Sequence, residues 1–342
     1  MLSNQSLLDL VNERLPEFHP VDSPTPIAGG NLNHLWRLTG KTNTLVAKYA
    51  PPHIAANPEI PLTSDRIHFE ARALELFSES GRLAALASED IRPPLLVDFI
   101  EEADLLLMED LGRLPSVDEW ISLNPDVKTG QTLGRFIGML HRQTCGRKEL
   151  AEQFNNRPIQ QSRYQIQYRS AGDYAREGGL SAIRPLQKKT EKLGKQLLKP
   201  GHCLIMGDLW PPSILVDNGN LRIIDWEFSH YGHPLQDVAH FAAHCWMQRH
   251  AADSEPLKKG FLGLWEAFIE AYLENCGDEI YRLFKGEYSD HMGTHFGAEI
   301  LMRAAGPFKE GYVYENISPA HPKLAEALDK ACKMIRDTEF RF

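Results

Sequence analysis

Residues 204–228 read LIMGDLWPPSILVDNGNLRIIDWEF, and this stretch decides how the chain is read. It sets Asp208, Ser213, Asp225 and Glu227 within twenty residues, with a tight turn between them. Apolar, strand-like runs flank these polar groups, which marks a site rather than a solvated surface. Ile214–Val216 and Leu221–Ile224 read as strands, and the Asn-Gly inside Asp217-Asn218-Gly219-Asn220 is a strong hairpin signal. A hairpin here would fold Asp225 back beside Asp208.

Size and composition bound what such a site can do. A chain of 342 residues exceeds one small core, so two domains are expected. A net charge of −9 argues against a broad nucleic-acid surface, while leaving room for a local basic pocket that takes an anionic ligand. The five cysteines (145, 203, 245, 276 and 332) lie far apart without a C-x-x-C pair, which favours reduced thiols. No stretch approaches the roughly 20 apolar residues that span a bilayer. MLSNQSLLDLVNERL carries Asp9 and Glu13 and reads as a short amphipathic helix rather than a signal peptide. The expectation is a cytoplasmic protein without membrane or nucleic-acid partners; a homodimer is compatible with the sequence.

Organisation changes along the chain. GGNLNHLWRLTG and NTLVAKYA read as β-runs, and PPLLVDFIEEADLLLMEDL as two strands around the turn Glu101-Glu102. Between them, DRIHFEARALELFSESG spaces Ile67, Ala71, Leu74 and Phe77 as a helix, with Gly81 as its expected C′ stop. Farther on, TLGRFIGMLHRQ puts Leu133, Phe136, Ile137 and Leu140 on one helical face. A long helix is expected from Ser254 to Gly277, with Pro256 near its start, and PKLAEALDKACKMIRD closes the chain as another. The expected fold class is α+β and bilobal: a β-rich N-terminal lobe over residues 1–110 and a mainly helical C-terminal lobe over residues 111–342, with a cleft between them.

The polar residues have the order that phosphoryl transfer from ATP needs. The transferring group must be met by cations, and a hydroxyl nucleophile must be held in line. Asp208 is placed to orient or deprotonate that hydroxyl, and Ser213, five residues on, to contact a metal. Asp225 suits Mg²⁺, which prefers hard oxygen ligands, and Glu227 is a natural additional ligand. Upstream, Lys48 ends a β-run where it would contact phosphates, and Glu70 in the next helix could pair with it. Gly30, Asn31 and Asn33 of GGNLN can form a hairpin over the phosphates. Met108–Leu111 suits a connector whose backbone, at Glu109 and Leu111, reads the adenine edge.

In these motifs the chain resembles the aminoglycoside phosphotransferase-like branch of the protein-kinase-like fold, and within it is most similar to the methylthioribose kinase family. The resemblance rests on G-G-N-L-N, Lys48, IPLTSDRIHFEA, MEDL, GDLWPPS and DWEFSHYG, and more weakly on EILMRAAG at Glu299–Gly306. It spans roughly residues 27–245. It implies an ATP- and Mg²⁺-dependent kinase acting on a hydroxyl of a small sugar-like acceptor. Asp208 would then be catalytic, Asp225 and Glu227 would hold Mg²⁺, and Lys48 and Asn31 would contact phosphates. Arg303 would match the second of two adjacent arginines near substrate. The chain departs from the family at Met206 (His), Trp210 (His), Pro212 (Gly), Trp226 (Pro) and Met302 (Arg). Trp210 and Met302 fall where substrate should sit, which argues against methylthioribose itself.

Plainer readings stand beside these. Asp208 and Asp225 taken singly suit turns and caps. GGNLN alone is an ordinary turn, Glu70 alone a solvated helix residue, and Trp210 and Trp226 could pack a core. His240 and His244, at i and i+4, favour a structural role over a metal site. His141 reads as a helix-end or hydrogen-bonded core residue. Two alternatives to the sugar-like reading stay open: a phosphotransferase for aminoglycoside- or choline-type acceptors, and a nucleotide-binding pseudokinase acting as a binding module.

Overall fold

The structure is a computed structural model that describes residues 2–28, 32–123, 127–181, 183–285, 288–309, 312–318, 321–337, 340 and 342. Gly30 and Asn31 lie outside the described residues. The chain divides into two compact units. One comprises Met1–Ser88, Arg92–Leu114 and Arg222–Phe228; the other comprises Glu89–Ile91, Pro115–Leu221 and Ser229–Phe342. The contiguous division at residue 110 therefore differs from the observed grouping, which gives Asp225 and Glu227 to the first unit. The physical reason is charge: their partners, Lys48 and Arg66, sit there.

The first unit is built on a five-stranded antiparallel sheet. Its order is Thr25–Pro26, His34–Thr39, Thr44–Tyr49, Leu105–Glu109, Leu96–Ile100. Side chains alternate along a strand, so Leu45 and Ala47 share one face with Trp36, Leu38, Leu105 and Leu107. That face packs against Leu7 and Val11 of the helix Asn4–Arg14. Lys48 falls on the opposite face, where it meets the helix Arg66–Phe77. That helix buries Ile67, Ala71, Leu74 and Phe77, as their spacing predicts. It ends earlier than expected, however. Ser78 is its C-cap, and Gly81 lies beyond, in a turn so tight that a Cβ would stand 2.2 Å from the carbonyl oxygen of Leu76.

The second unit is mainly helical. Val127–Thr144 buries Leu133, Phe136, Ile137 and Leu140. On the same helix Gly130, Gly134 and Gly138 lie against Glu255–Cys276; a Cβ at Gly134 would come within 2.2 Å of the Phe268 carbonyl oxygen. Three glycines at four-residue spacing thus let two backbones touch where side chains would hold them apart. The Glu255–Cys276 helix is capped by the Ser254 side chain at one end and by Gly277, at φ 52°, at the other. The strand Cys203–Ile205 pairs antiparallel with His230–Gly232 and delivers the chain to Asp208. The expected hairpin forms from Ile214–Asp217 and Asn220–Ile223, and its turn puts Asn218 and Gly219 at φ 50° and 88°. Positive φ at both positions is what a two-residue primed turn requires.

Candidate active site

In the first unit, three separated pieces of sequence meet at one buried cation. Lys48 Nζ lies 2.7 Å from Glu70 Oε2 and 2.7 Å from Asp225 Oδ1, with Glu227 Oε1 at 3.7 Å. Both Lys48 and Glu70 are buried. Burial opposes the ammonium, but Asp225 and Glu70 outweigh it and raise its pKa, so Lys48 is charged. Burial pushes the Glu70 carboxyl up to about 7; Lys48 pulls the other way, and the negative charges of Asp225 and Glu227 add to the rise. Asp225 differs from its neighbours in being 44% exposed. Its backbone sits at φ 62°, a left-handed conformation rare outside glycine, so the local fold holds it in a strained position.

Glu227 turns inward instead. Asn33 Nδ2 donates to its Oε1 at 2.7 Å, and Arg66 Nε lies 2.8 Å from its Oε2. Arg66 is wholly buried and also donates to the carbonyls of Leu32, Pro51 and Thr63 and to Asn33 Oδ1. The Asn33 amide, expected over phosphates, is therefore committed to Glu227. Between the two acids Trp226 is fully buried, donates to the Ile223 carbonyl and packs 5.1 Å from Phe77. Its role is core packing.

The connector is also held by charge. Arg92 donates to both oxygens of Glu109, which accepts from the Leu95 N–H as well, while the Glu109 N–H donates to the Leu95 carbonyl. Arg37 grips Asp110 with two hydrogen bonds, and Asp110 Oδ1 accepts from the Gly112 N–H. Leu111 follows, half-buried, past the end of the strand.

In the second unit, Asp208 follows Gly207, whose φ of 83° favours glycine. Asp237 clamps this loop: its carboxylate accepts from the Met206 N–H and the Gly207 N–H, both at 2.8 Å. Burial works against the Asp237 charge, but His141 and these two N–H groups hold its pKa below the ordinary value. His141 is fully buried between Asp237 and the Tyr272 hydroxyl. The loop thus has a support although Met206 replaces the family's histidine.

Asp208 is 20% exposed, and its Oδ1 accepts from Arg163 Nη2 at 2.7 Å. Arg163 Nη1 donates to Gln167 Oε1, and Gln167 Nε2 donates to Glu299 Oε2 and contacts His240 Nε2. Gln167 stands in a π-helical stretch, Tyr164–Arg169, a distortion often found at functional sites. Burial opposes the Glu299 carboxylate, yet the Arg303 guanidinium and the hydrogen bond from His244 hold its pKa well below the usual range. Burial pushes His240 down to about 4 and lowers His244. Both histidines serve this network; among the described residues no group of three or more His, Cys, Asp or Glu is arranged to hold a metal ion. Ser213 is buried, and its Oγ has no hydrogen-bond partner among the described residues. Trp210 is half-buried and Arg303 buried, with Arg303 Nε donating to Glu299 Oε1 at 2.9 Å.

Sequence reasoning missed Arg66, Arg163, Gln167, Asp237 and Glu299. Asp237 left a readable signal, an acid within the otherwise apolar LQDVAHFAAH. Arg66 stood in the motif IPLTSDRIHFEA without being singled out. Arg163 and Gln167 gave none, lying in a polar segment whose π-helical register no periodicity announces.

A methylthioribose kinase from Bacillus pumilus (strain SAFR-032) is 25% identical over 342 residues, covering 91% of this chain and 83% of its own length. A 4-hydroxytryptamine kinase from Psilocybe cyanescens is 25% identical over 284 residues, 74% of each chain. Among solved structures, choline kinase from Cryptosporidium parvum Iowa II superposes with a TM-score of 0.59 at 13% identity, over 98% of this chain and 97% of that one. This likeness shows that the fold is protein-kinase-like. A model described as the phosphotransferase enzyme family matches residues 23–272, and the chain belongs to that family: it is a small-molecule phosphotransferase.

Proposed function

We propose that this chain is an Mg²⁺- and ATP-dependent kinase that transfers the γ-phosphoryl to a hydroxyl of a small sugar-like acceptor. The observation that carries the reading is Lys48, a buried ammonium fixed by Glu70 and shared with the half-exposed, backbone-strained Asp225. A purely structural ion pair needs neither the second acid nor the strain. Support for a sugar-like acceptor comes from the methylthioribose kinase relative, whose match spans nearly the whole chain.

Two observations fit a hard divalent cation. Asp225 engages Lys48 through Oδ1 and keeps carboxylate surface exposed, and Ser213 Oγ is buried without a partner among the described residues. Mg²⁺ is commonly held by one or two carboxylates together with waters and phosphate oxygens, so Asp225 and Ser213 would hold it; Glu227, expected as a further ligand, has Asn33 and Arg66 on its two oxygens. When bound, the cation would neutralise charge on the phosphates. Glu227, tied to Arg66 and Asn33, chiefly fixes the turn that presents Asp225. Lys48 would contact the α- and β-phosphates, with Glu70 preventing it from swinging away. The backbone of Glu109 and Leu111 would take the adenine edge, and Gly30 and Asn31 the phosphates. Asp208 would accept a hydrogen bond from the acceptor hydroxyl, orient it in line and take its proton as the O–P bond to the γ-phosphoryl forms and the bond from that phosphorus to the bridging oxygen breaks, releasing ADP. Trp210 and Arg303 line the acceptor side. In this reading residues 1–110 carry the hairpin over the nucleotide phosphates and residues 111–342 the catalytic and metal-binding loops, and the protein acts in the cytoplasm.

The test is coupled ADP release from Mg-ATP, with wild type and Asp208→Asn, across 5-methylthioribose, aminoglycosides, choline and 4-hydroxytryptamine. One acceptor should turn over, and the variant should lose at least about a thousandfold in kcat with folding intact. Nucleotide binding without turnover of any acceptor would favour a pseudokinase. Failure to bind Mg-ATP would refute the reading of Lys48 and Asp225.

A further inference from the structure

Trp210, two residues past Asp208, opens a group of aromatic rings in the second unit. Its ring centroid lies 5.4 Å from that of Tyr312 and 5.5 Å from that of His244. The cation among these rings is the protein's own. The Arg303 guanidinium carbon stands 4.4 Å from the Trp210 centroid, 5.5 Å from Tyr312 and 5.6 Å from Phe308. Behind it Glu299 accepts from Nε, and the Arg303 side chain is only 9% exposed. Three aromatic rings around one positive charge, with a carboxylate at the back, form the chemistry by which proteins bind organic ammonium ions.

We propose that Arg303 is the built-in occupant of an aromatic cation box next to Asp208, and that by filling it the protein rejects positively charged acceptors and selects neutral or anionic ones. This rests on the reading of Asp208 as the group that receives the acceptor hydroxyl, and it adds a specificity-determining residue to that site. The surrounding charges agree. Asp208 is matched by Arg163, and Glu299 by Arg303, so two carboxylates face two guanidinium groups. Burial keeps the adjoining His240 and His244 neutral near pH 7. No surplus negative charge in this set draws in an amine, and the aromatic surface that would stabilise one is already covered.

The box can be tested without knowing the acceptor. Arg303→Ala empties it, and methylguanidinium or tetramethylammonium should then refill it. Binding is read from tryptophan fluorescence and from the melting temperature, with sodium chloride at matched ionic strength as control. The expected result is methylguanidinium binding at least about thirtyfold tighter to Arg303→Ala than to wild type, and loss of that gain in Trp210→Leu/Arg303→Ala. Equal responses in wild type and Arg303→Ala, or no response of Arg303→Ala beyond sodium chloride, would overturn the proposal. So would turnover of choline by wild type as efficient as that of the best neutral acceptor. If Arg303→Ala fails to fold because Glu299 is left buried without its cation, Glu299→Gln/Arg303→Ala removes that charge and carries the same titration. Failure of the Asp208 reading would show separately: Asp208→Asn would keep its turnover while the cation titrations still reported on the box.

Discussion

Replacing Lys48 by methionine tests the buried charge cluster, because methionine keeps much of the side-chain volume and removes only the ammonium. Glu70 then sits 2% exposed with no cation at 2.7 Å. Stranding one member of a buried ion pair costs about 3–5 kcal/mol. Asp225 loses the same partner, but at 44% exposure water replaces most of that interaction. Glu70 can avoid the cost by binding a proton. Its folded pKa is already raised to about 7 by burial, and loss of Lys48 raises it further. The sign follows directly: a carboxyl whose folded pKa is raised favours the folded state below its unfolded pKa, and that benefit is lost as pH rises through the folded value. Because wild-type Glu70 also holds a proton below about pH 7, the deficit of Lys48→Met relative to wild type should be nearly constant below that pH and grow by up to about 1.4 kcal/mol by about pH 8. Adding Glu70→Gln removes the stranded charge and should recover most of the loss at the higher pH. Denaturant unfolding of wild type, Lys48→Met and Lys48→Met/Glu70→Gln at several pH values measures this. A deficit independent of pH, or a double variant no more stable than Lys48→Met at pH 8, would refute the reasoning.

Other outcomes follow from the second unit. Arg163→Met should lower kcat about a hundredfold by freeing the Asp208 carboxylate, with the KM for ATP unchanged. In an Asp208→Asn background the same change should cost less than about threefold; additive losses would show that Arg163 does not act through Asp208. Asp237→Asn keeps the shape but weakens the acceptor of the Met206 and Gly207 N–H groups, so stability should fall by about 1–3 kcal/mol in thermal melts, with activity falling alongside. His240, with its folded pKa pushed down to about 4 from an ordinary 6.5, stabilises the fold above its unfolded pKa and loses that effect as pH falls toward the folded value. Unfolding free energy should thus drop by up to about 1.4 kcal/mol per pH unit across that window, and His240→Gln should flatten the slope.

The fold was legible where the local pattern and the tertiary demand coincide. Asn218-Gly219 supplies the left-handed pair that its turn needs, Ser254 and Gly277 bracket their helix, and Leu133, Phe136, Ile137 and Leu140 face inward as spaced. Gly81 misled because glycine serves tight turns as readily as helix ends. For the candidate site, Lys48, Glu70 and Asp225 could be proposed together because phosphoryl transfer demands them in that order. Their braces could not, since Arg66 and Arg163 earn their places from partners remote in sequence, Glu227 and Asp208, and nothing in the local pattern names those partners. Glu227 shows the same gap: reading it as a metal ligand gave no sign that Arg66 and Asn33 already hold both of its oxygens.

The grouping of Arg222–Phe228 with the first unit has a consequence for biosynthesis. Lys48 and Asp225 lie 177 positions apart, so a ribosome adding about 5–20 residues per second makes the lysine roughly 10–35 s before its second counter-ion exists. Once Leu114 has been added, the nascent first unit holds all the residues of its five-stranded sheet and of the Glu70 helix but still lacks Trp226 against Phe77 and Glu227 against Arg66. Its last native contacts close only after most of the intervening helical unit has been translated, so a fragment ending at Leu114 is an unfinished core. Premature termination between residues 114 and 222 would leave Phe77 without Trp226 and Lys48 and Arg66 without Asp225 and Glu227, and such chains should be substrates for chaperones and proteases rather than stable half-proteins.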